Sequence, residues 1–170
     1  MVPAHWMISL ALLVSGPIQS PTWTDPKAAS VSLRGITGVE IWVELTNPPG
    51  EAPLIAESDL IGDAGVQLRK AGIKVLPTSG RAAGSPNPGL HVQIQLAKLQ
   101  DSPTYVAYYY LAVNQIVSLV RNQAVRGYAA TWMTGGLGIY DAVLVKDGVR
   151  THLAAYIDQF VSAFRAAGNK

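Results

Sequence analysis

The sequence predicts an α+β fold: a β-α-β unit, a three-strand antiparallel meander and a long C-terminal helix, with two helices packed on one face of a single sheet. Three patterns predict it. Apolar and polar residues alternate from Val39 to Leu45 and again from Leu90 to Leu96, the period-two signature of half-buried strands. An apolar stripe at helical spacing follows the first of these strands. A second, longer stripe closes the chain after three consecutive β-rich segments.

In the first strand Val39, Ile41, Val43 and Leu45 share one side, Glu40, Trp42 and Glu44 take the other, and Thr46-Asn47-Pro48-Pro49-Gly50 ends it by turn chemistry. Ser58 stands where it can cap a helix whose Leu60, Ala64 and Leu68, flanked by Ile61 and Ala71, form the apolar stripe, and Gly72 stands where a helix ends. Gly62 and Gly65 each lower that helix's intrinsic stability by up to about 1 kcal/mol relative to Ala, so packing has to hold it. Ile73 to Leu76 completes the β-α-β unit, and Pro77 to Gly89, rich in Gly, Pro, Ser and Ala, reads as a loop. In the Leu90 to Leu96 strand His91, Gln93 and Gln95 face outward.

Tyr105 to Val120 is β-rich but longer than a normal strand, which predicts a bulge or bend near Asn114-Gln115. Ala124 to Met133 returns with Tyr128 and Trp132 on one face, and Thr134-Gly135-Gly136-Leu137-Gly138 ends it as a hairpin loop. Val145, Val149, Leu153, Tyr156, Ile157, Phe160, Val161 and Phe164 recur at three- and four-residue spacing, giving a closing helix that Gly168 terminates.

The uncharged apolar run Trp6 to Gly16 is too short for a membrane span, which needs about 20 residues, but fits the roughly 7–15-residue core of a secretory leader. Met1 to His5 carries no Lys or Arg, a departure from the usual leader. The expected division is a signal peptide and linker over 1–30 and one α+β domain over 31–170, exported to the periplasm or secreted, with no transmembrane helix in the mature form. With no cysteine, the chain has neither a lipid-bearing N-terminal Cys nor a disulfide. It is 49% hydrophobic and only 14% charged, with a formal net charge of +2 and its cations scattered singly, a balance that argues against a nucleic-acid partner.

The succession of a leader, Ser32-Leu33-Arg34-Gly35-Ile36-Thr37-Gly38-Val39, a helix ending Leu68-Arg69-Lys70-Ala71-Gly72-Ile73, the Leu90 to Leu96 strand, Thr131-Trp132 and a helix through Asp158-Gln159-Phe160 resembles a family of small exported bacterial proteins. In element order it is also similar to the periplasmic N-terminal domain of TolB and to the LptE family of envelope lipoproteins, whose members act as binding partners. That resemblance implies an envelope role without catalysis; the absent Cys departs from the LptE pattern and leaves the lipid tether without a residue to carry it.

Candidate chemistry is sparse. His91 and His152 stand in no metal-ligand spacing and read as surface histidines; no cofactor and no metal are expected. Gly135-Gly136-Leu137-Gly138 lacks the glycine spacing of a dinucleotide loop and the Lys-Ser/Thr of a phosphate loop. Glu40 and Glu44 lie on one strand face about 13 Å apart at 3.3 Å per residue, beyond the separation of paired glycosidase acids, and read as solvated. No Gly-x-Ser-x-Gly elbow is present. What remains is aromatic: Trp42, Tyr108, Tyr110, Tyr128 and Trp132 are expected to share the sheet face opposite the helices. They either shield that face or dock an envelope protein, a lipid or a glycan. The function expected is a non-catalytic binding or assembly module, the alternative a hydrolase with a site in the Pro77 to Gly89 or Thr134 to Val145 loops.

Overall fold

The computed structural model describes residues 18–19, 30–78 and 86–169. In chain order its elements are β1 (Ile18–Gln19), β2 (Gly38–Thr46), α1 (Glu57–Lys70), β3 (Lys74–Val75), β4 (Gly89–Lys98), β5 (Thr104–Leu119), β6 (Asn122–Asp141) and α2 (Val145–Ala166). The strands form one mixed sheet in the order β1-β6-β5-β4-β2-β3. The β-α-β unit pairs β2 with β3 in parallel, β2 also runs parallel to β4, and β4, β5 and β6 form the antiparallel meander. Apart from the short β1, which pairs antiparallel with β6, the expected leader and linker lie outside the described residues, as do residues 79–85 of the expected loop.

α1 and α2 both lie on the side lined by Val39, Ile41, Val92, Ile94, Tyr109, Leu111 and Trp132. In α1 the buried stripe is Leu60, Ala64, Gly65 and Leu68, while Ile61 stays exposed. Its N-cap is Ala56, with no side-chain cap, so Ser58 is a first-turn residue. Glu57 instead reaches back to β2, its Oε1 accepting the Leu45 N–H at 3.0 Å. The C-terminus closes as a Schellman turn: Gly72 takes φ +84°, the Ile73 N–H donates to the Leu68 carbonyl at 2.9 Å, and the Gly72 N–H donates to that of Arg69 at 3.0 Å. In α2 all eight residues of the predicted stripe are buried. Gln67 on α1 bridges to α2 by donating to the Ala154 carbonyl and the Asp158 carboxylate, and Arg150 makes a two-pronged ion pair with Asp63.

Two expectations about β6 are corrected. First, the strand does not end at the glycines: it runs on to Asp141, and Met133↔Ala112 through Asp141↔Thr104 pair with β5 without a break. Gly135 lies against the Tyr109 carbonyl and Gly138 beneath the Tyr140 ring, positions that leave no room for a Cβ, so these glycines serve close packing rather than a turn. Second, Tyr128 and Trp132 do not share a face: the bulge, present as expected, falls between Val113 and Asn114, and Thr131 is the extra residue opposite it. It is fastened there: Gln115 donates to Thr131 Oγ1 at 2.6 Å, and Ser32 Oγ donates to the Thr131 carbonyl at 2.8 Å. An extra residue inverts the side on which later side chains emerge. Tyr128 and Trp132 therefore sit on opposite faces.

Candidate binding face

Trp132 is only 6% exposed and stands edge-on to Phe160 of α2 at 5.4 Å, so it belongs to the core and leaves the expected aromatic set. Trp42, Tyr108, Tyr110 and Tyr128 do share the open face. They come from three strands, aligned by the pairings Trp42↔His91, Gln93↔Tyr110 and Gln95↔Tyr108.

These residues form two groups. Toward the bulge, Trp42 of β2 lies across Gly89 of β4, where a Cβ would come within 2.8 Å of its ring. Tyr128 leans back from β6 to meet Trp42 at 6.1 Å between ring centroids, and its hydroxyl donates to the Asn87 carbonyl at 3.0 Å. The Asn87 amide in turn donates to Glu40 Oε1 at 2.9 Å. Glu40 is fully buried, which corrects the expectation of a solvated carboxylate. Further along, His91 meets the Tyr110 ring edge-on at 6.2 Å, and its Nε2 lies 3.4 Å from the Glu44 carboxylate. Burial raises the Tyr110 phenol's pKa, with the neighbouring Tyr108 adding to the shift, so the ring stays neutral. Tyr108 beside it is 39% exposed.

The face also holds Met133, Leu137 and Ile139, all exposed. These were missed because the glycine run among them reads as a turn. Their alternation with Thr134, Gly136 and Gly138 was the available signal. The two histidines are likewise corrected: both are half-buried. His152 belongs to the core side, where Tyr109 and Tyr140 hydroxyls meet at 2.6 Å and Tyr140 reaches His152 Nδ1 at 2.7 Å. Burial pushes the Tyr140 phenol up to about 12 and raises that of Tyr109 further. Among the described residues no group of three or more His, Asp and Glu side chains is gathered as a metal site would need. Two open depressions lie away from the aromatic face. One, of about 510 Å³, is bounded by Pro48, Glu51, Leu96 and Lys98; the other, of about 330 Å³, is bounded by Asp63, Gln67 and Arg150. The Thr134 to Val145 segment, expected as a loop, is mostly strand.

No protein-family model matches the chain, and no curated protein matches it. Among solved structures it is similar to a PelC dodecamer from Paraburkholderia phytofirmans, at 15% identity over 77% of this chain and 88% of that one, with a TM-score of 0.40.

Proposed function

We propose that this chain is an exported, non-catalytic binding or assembly module whose open sheet face docks an envelope partner. The observation that carries the proposal is the exposure of Tyr108 and Tyr128 beside half-buried Trp42 and Tyr110, on a face where Met133, Leu137 and Ile139 are also exposed. Interfaces are enriched in Tyr, Trp and Met and depleted of Lys and Glu, and soluble chains seldom leave such apolar surface in water without a use for it. Tyr and Trp also contribute large contact area with little side-chain entropy to lose. The export component rests on the Trp6 to Gly16 run. Among the described residues one histidine–carboxylate pair, His91 with Glu44, lies on this face, and the chain has no cysteine to serve as a nucleophile beside it.

Affinity capture from an envelope extract tests the proposal, with wild type and Tyr108→Ala run side by side. A species held by wild type and lost from a variant that melts normally supports it. Equal capture by both overturns it.

A further inference from the structure

β4 begins at Gly89, paired with Asn114, so beyond that point β6 is the only strand paired with β5 among the described residues. Residues Gln115 to Ala129 therefore form a two-stranded ribbon that extends past the rest of the sheet. A hairpin of this kind is marginal in water unless something covers it. Its tip is strongly apolar: Val120 is 98% exposed, with Ile116 at 42% and Val125 at 46%. Charge is segregated along the same strands. Between Asp101 and Asp141 the chain has no Asp or Glu, and its only cations there are Arg121 and Arg126, both exposed at the tip. Neither arginine has a carboxylate partner among the described residues. The acids flanking this stretch are at the far end of β5 and β6, where Asp141 pairs with Thr104.

An apolar tip flanked by unpaired guanidinium groups matches a membrane interface: the side chains enter the headgroup boundary while arginines bind phosphate oxygens. We propose that the tip of the β5–β6 ribbon, Ile116 to Arg126, rests on a membrane surface bearing anionic phospholipid headgroups. Among the described residues no helix is long and apolar enough to cross a membrane.

Because the chain contains no cysteine, a single one can be introduced at will. An environment-sensitive fluorophore is attached through Val120→Cys, and in a separate preparation through Asp101→Cys at the opposite end of β5. Each labelled full-length chain is mixed with vesicles of phosphatidylglycerol and phosphatidylethanolamine in equal parts, and with vesicles of phosphatidylcholine alone. The expected result is a blue-shifted, brighter emission for the label at 120 only, with the anionic vesicles only, that weakens as salt is added. Replacing both arginines by Ala should lower the vesicle affinity by roughly twenty- to thirtyfold, about fivefold for each cation, with unchanged circular dichroism. Equal shifts at both labels, no shift at 120, or a shift at 120 that grows with protein concentration in the absence of lipid would each overturn the proposal; the last would mark the tip as a contact between copies.

Discussion

Tyr108, Tyr109 and Tyr110 are consecutive and chemically identical, yet Tyr109 is fully buried against α2 while Tyr108 is 39% exposed on the opposite face. Strand alternation separates them, and the two sides of the sheet then use aromatics differently. On the covered side each ring is enclosed: Tyr109 packs on His152 and Tyr156, Trp132 on Phe160, and Phe160 on Phe164. On the open side Trp42 meets Tyr128 at 6.1 Å, and Tyr108 projects outward. Aromatic content alone therefore does not distinguish core from contact surface. The register of the strand does.

The largest test of this contrast is Phe160→Ala, which removes the ring on which Trp132 leans. It should cost about 3–5 kcal/mol, read as a fall in the denaturant midpoint. A smaller test is Tyr140→Phe, which removes the hydroxyl between Tyr109 and His152 and should cost about 1–3 kcal/mol for the buried partner left unpaired. The same network sets an alkaline limit. Burial holds these phenols neutral, so the folded chain keeps protons that the unfolded chain releases above the ordinary value of 10.0. Stability should then be full below that pH and fall as pH rises toward about 12, the value to which Tyr140 is pushed. Melting temperature against pH measures this, and a flat profile there would show the phenols to be solvated. The smallest effect belongs to the open face: Tyr108→Ala should change stability by no more than about 0.5 kcal/mol.

Much of this contrast was legible in the sequence. The period-two runs of β2 and β4 face as their patterns predict, and the stripe from Val145 to Phe164 is buried along its whole length. The excess length of β5 correctly implied a bulge near Asn114. Its consequence was not legible, because a bulge is shared between two strands and only the pairing shows that Thr131 is the extra residue. That one residue moves Trp132 from the expected binding set into the core. The glycine run failed for a related reason: Gly135 answers to Tyr109 on the neighbouring β5, which local sequence does not display. Glu40 was read as solvated since its carboxylate's partner is Asn87, far away in the chain.

The central claim, that the sheet has one enclosed aromatic side and one binding side, is tested most directly by comparing Trp132→Ala with Tyr108→Ala for melting and envelope capture in parallel. Trp132→Ala should lose several kcal/mol of stability, as large-to-small core changes do. Tyr108→Ala should melt as wild type does and lose about thirtyfold in affinity for the captured partner, the roughly 2 kcal/mol expected of a central interface aromatic. A Tyr108→Ala chain that unfolds, or one that folds and captures its partner undiminished, would contradict it.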